Sequence, residues 1–263
     1  MSYPIILHAV KQEIKETLSV SVPLMSAQLI YSLSCFIGTA LVAQLGEDAL
    51  AASVLVSTIW MSLTVFFFGM LNAVSVLIAH QHGAKNKQAI THIMGQSFIL
   101  GLIIGVLMMF VLLGMPFFMR FSAQPAMVFT LAYDYMYSLL WTIPALVILI
   151  ILEQFLAGIN HTKLVLRISL LIVPIEIPLI YALIFGKFGL PACGVAGIGY
   201  GFAITYTLTA ICLVYYLLKS KRYQHYSIFK SILCINMPIL KELARVGTPI
   251  GLMHAIEVSA FTL

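Results

Sequence analysis

Two stretches, IKETLSVSVPL at 14–24 and LKELARVGTPI at 240–250, decide how this chain is read. Lys15, Glu16 and Pro23 recur as Lys241, Glu242 and Pro249, each at an offset of 226 residues (15 to 241). Both copies stand at the start of an apolar run long enough to head into a bilayer. Between them lie six apolar stretches, roughly 17–44, 50–79, 91–117, 127–152, 164–186 and 194–218, each near the ~20 residues a helix needs to cross hydrocarbon. An even number of spans returns the second copy to the orientation of the first. The two halves are then related by an axis along the membrane normal. On this reading 1–239 is a six-helix transmembrane lobe with its linker. Residues 240–263 open a second copy as a truncated seventh helix, and a complete version would be about twice 226 residues long.

Composition agrees and excludes other classes. Charged residues are 9% and apolar ones 62% of the chain, against about 25% and 45–50% in soluble domains. The fold class expected is therefore an all-α polytopic membrane protein. Cys35, Cys193, Cys212 and Cys234 show neither paired nor zinc-like spacing and read as small packing residues. The first 16 residues place an apolar piece before their charges, the reverse of a signal peptide, and read as a short amphipathic segment.

Twelve of the fourteen Lys and Arg fall before the first span, in the even-numbered connections or, as Arg167, in the first turn of the fifth span that follows one, with only Arg120 and Lys187 opposite. By the positive-inside rule this makes the N-terminus cytoplasmic. The net charge of +5 is then a topology signal, and no nucleic-acid partner is expected.

Four acids fall within or at the edge of spans: Asp134, Glu153, Glu176 and Glu257. A carboxylate at the bilayer centre costs about 2.5–3.5 kcal/mol on insertion scales, so it faces protein or water and marks function. Glu176 lies nine residues past Arg167, and Glu257 twelve past Arg245. At 1.5 Å per residue both are about 13–18 Å deep, near the midplane. Glu153 is expected at the cytoplasmic end of the fourth span and Asp134 towards its outer end, as secondary polar positions. Pro174 and Pro178 flank Glu176 in VPIEIP and free backbone carbonyls that can face a cavity or an ion. Such acids suit proton or cation coupling, or pairing with a cationic substrate. His80, His82 and His92 are expected as solvated loop residues, and the glycines of GVAGIGYG (194–201) as close helix contacts. No catalytic set, phosphate loop or metal-ligand group is apparent, so no enzyme activity and no cofactor are expected.

The segments QHGAKNK (81–87), GKFGLPACGVAGIG (186–199) and GTPIGLMHAIE (247–257) resemble multidrug and toxic compound extrusion (MATE) transporters, with likeness across nearly all of 15–263. The resemblance implies a twelve-helix, two-lobe antiporter of which this chain is the first lobe plus the start of helix seven. It would export cationic or amphiphilic small molecules across a plasma membrane, a bacterial inner membrane, in exchange for protons or sodium. It would also need the missing C-terminal lobe and surrounding lipid as partners. The family's seventh-helix glutamate falls on Glu257, where a transient sodium ion would bind. Its fifth-helix asparagine falls on Glu176 and its first-helix aspartate on Gly38, while Glu153 replaces an arginine common in relatives. Two alternatives stay open: a lipid-linked oligosaccharide flippase of the same superfamily, and an inactive remnant or membrane scaffold.

Overall fold

The computed structural model describes the backbone of residues 3–119, 125–226, 228–231 and 235–262, and side chains over 17–18, 21–117, 119, 125–226, 228–231 and 235–257. The side chains of Lys11, Lys15, Arg120 and Cys234 lie outside that set. Every long element among the described residues is a helix: α1 (Tyr3–Val42), α2 (Glu47–Gly83), α3 (Lys87–Met119), α4 (Ala126–Leu140), α5 (Ile143–Gly158), α6 (Thr162–Phe185), α7 (Ala196–Lys219) and α8 (Met237–Thr262). In hydrocarbon each backbone N–H and C=O must be met within its own segment, so apolar runs of this length become helices. The ends follow local chemistry. Gly46, at φ 115°, turns the chain into α2, whose first turn carries Glu47 and Asp48 beside the positive end of the helix dipole. Asn86 Oδ1 accepts the Ala89 N–H at 3.1 Å and caps α3. Gly186, in the left-handed region at φ 67°, closes α6.

Five helices are long and apolar enough to cross a membrane, and α4 with α5 make a sixth span broken by a 50° bend. This corrects the expectation of one continuous span over 127–152. Pro144 has no N–H, and its ring clashes with the carbonyl four residues back, at Leu140. The chain therefore breaks at Trp141 and Thr142, and the Thr142 hydroxyl donates to the Gly199 carbonyl on α7 at 3.1 Å. Resuming as α5, the span runs on to Gly158. Glu153 is thus inside a helix rather than at its end. Helix α8, which carries Lys241, Glu242 and Arg245 in its first half, is not among the spanning segments found in the described residues.

The core is built around α5, which packs against α2, α3, α6 and α7 and buries Leu149, Ile151, Leu152 and Phe155. Elsewhere α1 lies along α6, α7 against α4 and α6, and α8 along α2. Only 22–39% of each spanning window is buried, so most of the apolar surface faces outward, as it must in lipid. On α3 the outward stripe is Leu102, Val106, Phe110, Leu113 and Phe117.

Glycines set the closest crossings, as expected for 194–201. A Cβ on Gly197 would lie 2.8 Å from the Ile184 nitrogen, and one on Gly199 would lie 2.9 Å from the Ser138 Cβ. Gly247 and Gly251, four apart on α8, do the same against α2. A Cβ on Gly251 would come within 2.7 Å of the Phe66 carbonyl oxygen, so the backbones approach directly.

The α2–α3, α5–α6 and α7–α8 connections converge at one end of the lobe. Thr91 donates to the Tyr226 carbonyl at 2.5 Å, His92 Nδ1 meets the Ser231 hydroxyl at 2.9 Å, and Tyr226 OH lies 3.3 Å from His82 Nδ1. The ring of His161 meets Tyr223 edge-on. His82 and His92 are therefore part of a docked connection, not merely the solvated loop residues expected. Burial lowers the pKa of His161 from its ordinary 6.5, with Arg222 and His82 adding repulsion.

Two outcomes follow from this packing. Gly251→Ala lowers the stability of the detergent-purified full-length protein by about 1–3 kcal/mol through overpacking. Gly83→Ala, where a Cβ meets open space, stays within about 0.5 kcal/mol; thermal unfolding compares them. For His161, a folded pKa below the unfolded one means the unfolded segment binds the proton better. Stability of the docked connection is then full above the unfolded value of about 6.5 and is lost as pH falls below it. Amide protection over 220–226 and 228–231, taken against the intrinsic exchange rate at each pH, should fall between pH 7.5 and 5.5, and His161→Gln should flatten that dependence.

Candidate functional site

The α6 segment carrying Glu176 is shaped by its prolines. Pro174 and Pro178 lie inside the helix and cannot donate to the carbonyls of Leu170 and Pro174, so the helix is loosened on both sides of the acid. The Glu176 side chain is wholly buried (0% exposed). Its carboxylate lies between α1 and α7, with Oε1 accepting from the Ser34 hydroxyl and Oε2 accepting from the Thr205 hydroxyl at 3.2 Å. A buried charge is tolerable only with such partners.

Thr205 Oγ1 also lies 2.8 Å from the Gly201 carbonyl. A hydroxyl has one proton and two lone pairs, so Thr205 can donate to only one of these acceptors. Facing a carboxylate, it donates to Glu176. Facing a protonated carboxyl, it can accept from Glu176 and turn its own proton to Gly201. Both protonation states of Glu176 can therefore be satisfied without moving the backbone.

A second carboxylate joins through α1. Glu153 Oε1 accepts from the Tyr31 hydroxyl at 3.1 Å. Tyr31 and Ser34 are three residues apart and share one face of α1. The next turn of that face is Gly38, buried with the Ile198 side chain 3.8 Å from where its Cβ would be. Helix α1 thus links Glu153 on α5 and Glu176 on α6, while the position resembling the family's aspartate is an apolar contact with α7.

The other two expected acids are apart from this cluster. Asp134 is exposed on α4. Glu257 is 60% exposed, and its partner is His254 at 3.5 Å on the same helix. No hydrogen bond or ion pair among the described residues joins Glu257 to Glu176. Among the described residues no three His, Cys, Asp or Glu side chains gather as a metal site. Tyr31, Ser34 and Thr205 were not foreseen. Their signal was faint: polar residues at i and i+3 on α1, and Thr205 with Thr209 at i and i+4 on α7.

A six-span helical lobe with one buried carboxylate between its helices is that of a multi-pass membrane protein. Comparison narrows this further. A family model described as MatE matches residues 23–182. The chain is 27% identical over 257 residues to the multidrug resistance protein NorM of Vibrio cholerae, covering 98% of this chain and 56% of that one. It is 30% identical over 241 residues to a probable NorM of Aromatoleum aromaticum, covering 92% and 52%. Among solved structures, a MOP superfamily transporter from Pyrococcus furiosus superposes with a TM-score of 0.80 at 24% identity, over 91% of this chain and 52% of that one. A eukaryotic MATE transporter gives 0.78 at 22%, over 95% and 55%. The chain belongs to the MatE family, and it spans about half the length of the relatives it matches.

Removing one donor isolates the Glu176 arrangement. Thr205→Val should cost about 1–3 kcal/mol of stability, the penalty for a buried acceptor left short of a partner, and Thr205→Ser should recover most of it. Thermal unfolding of the purified full-length protein reads both. Equal stability of the Val and Ser variants would show that the Thr205 hydroxyl does not serve the carboxylate.

Proposed function

We propose that this chain is the first lobe of a multidrug exporter that works by cation-coupled antiport, with Glu176 as its principal coupling group. The observation that carries the reading is the burial of Glu176 between hydroxyls from two different helices, in a protein whose relatives are named multidrug resistance proteins. A carboxyl there can exchange a proton or release a cation when α1, α6 and α7 shift relative to one another. Glu153, bonded to the same face of α1, is a second group sensitive to that shift.

Glu257 plays a different part. Its side chain on α8 is exposed, and on this reading it meets a second six-helix lobe whose groups would complete cation binding there. Alternating access needs two lobes rocking about a shared cavity. The substrates are small cationic or amphiphilic molecules, and the coupling ion is a proton or sodium. The basic end of the lobe faces the cytoplasm and the protein spans the cell's plasma membrane, in keeping with the charge bias.

Efflux of ethidium from cells carrying the full-length protein is the direct test. Glu176→Gln should reduce energised efflux at least roughly tenfold, the scale set by about 1.4 kcal/mol, with surface expression unchanged. Glu257→Gln should weaken it less. Efflux that follows an imposed sodium gradient at constant pH assigns sodium, and efflux that follows a pH gradient without sodium assigns the proton. Unaltered efflux in Glu176→Gln would sink the assignment.

A further inference from the structure

A groove of about 560 Å³ runs between α6 and α7. Its walls are apolar, with Leu171 and Ile175 from α6 facing Leu208 from α7. One end is different: it holds Arg167 and Tyr216. Arg167 lies five residues into α6 and Tyr216 three residues before the end of α7, so the antiparallel helices bring both to the same end. This is the end of the lobe where Lys163 and Lys219 also lie. The opposite end of the groove reaches Thr205, the residue whose hydroxyl donates to Glu176.

Length and charge together select the occupant. From Arg167 to Ile175 is eight residues, about 12 Å along a helix, and from Tyr216 to Thr205 about 16 Å. The groove is a slot of chain-like proportions with a guanidinium at its interfacial mouth. Among the described residues the one ion pair is that of His254 with Glu257, so no described carboxylate pairs with Arg167. A cation this close to a bilayer interior is retained where it has an anionic partner or a role. A guanidinium forks naturally onto phosphate oxygens, and basic pockets between transmembrane helices suit anionic headgroups.

We propose that this groove is a binding site for an anionic phospholipid of the leaflet bordering the start of α6. The lipid phosphate pairs with Arg167 and takes a hydrogen bond from Tyr216. One acyl chain lies along Leu171, Ile175 and Leu208 and ends against Thr205. A zwitterionic lipid fills the same slot but carries its own cation beside Arg167 and so binds less well. Free phosphate has the charge but nothing to place in the apolar slot. The occupied groove would also hold the α6–α7 contact behind Glu176, so that lipid composition bears on the carboxylate site.

The test is lipid retention by the full-length protein in detergent, measured by native mass spectrometry with phosphatidylglycerol and phosphatidylcholine. Wild type should retain phosphatidylglycerol roughly tenfold better, the scale of a charge-assisted hydrogen bond. Arg167→Gln should remove that preference, Arg167→Lys should keep part of it, and inorganic phosphate should not compete. Equal retention of both lipids by wild type, an undiminished preference in Arg167→Gln, or displacement by inorganic phosphate would each overturn the proposal. Should Arg167→Gln fail to fold, Cys212 offers a readout in wild type. It lines the groove and is a free, exposed thiol. Its peptide-resolved alkylation should slow with phosphatidylglycerol and not with phosphatidylcholine, and an unchanged rate would count against the site.

Discussion

The burial of one carboxylate governs the inner organisation of this lobe. Glu176 is removed from water and from lipid, so α1 and α7 must each bring a hydroxyl to it. Those two residues cannot be exchanged for apolar ones at no cost, since an unmet buried acceptor is worse than an extra methyl group. The consequence is a division of labour. Helices α1, α6 and α7 gather around that carboxylate, while α2, α3 and α5 meet largely through apolar side chains such as Val74, Met94, Ile104, Ile151 and Phe155.

The same division explains why the prolines fall where they do. Pro174 and Pro178 interrupt the backbone ladder beside Glu176, and Pro144 breaks the fourth span where Thr142 can bond to α7. In hydrocarbon a broken ladder persists only where a neighbour supplies the lost partner. Around Glu176 the two prolines leave the carbonyls of Leu170 and Pro174 without their intrahelical donors.

Glycine crossings and hydroxyl bonds do opposite jobs. At α2–α8 the contact is backbone against backbone through Gly251, with no side chain to repack, so it tolerates little change. The Glu176 contact is made by rotatable hydroxyls with spare acceptor capacity, and it can accommodate a proton without moving the chain. The lobe thus combines stiff joints with one chemically adaptable centre, and the α6–α7 groove lies directly behind that centre.

Much of this protein was legible in its residues, because the forces concerned are local. Apolar run length determines spans, basic residues mark one end, GVAGIG signals close crossings, and VPIEIP marks an acid in a loosened helix. Each follows from a short window and from the absence of water in the bilayer. What tertiary structure alone decided is which side chains meet. Tyr31 is 122 residues from Glu153 and Ser34 is 142 from Glu176, and nothing in either window names its partner. Pro144 bends the fourth span at Trp141, and the Thr142 hydroxyl there donates to the Gly199 carbonyl on α7, 57 residues away in sequence. Glu257 looked equivalent to Glu176 by depth, yet one is exposed and the other buried. Depth along a helix follows from sequence spacing, whereas the direction a side chain faces depends on which neighbour packs against that turn.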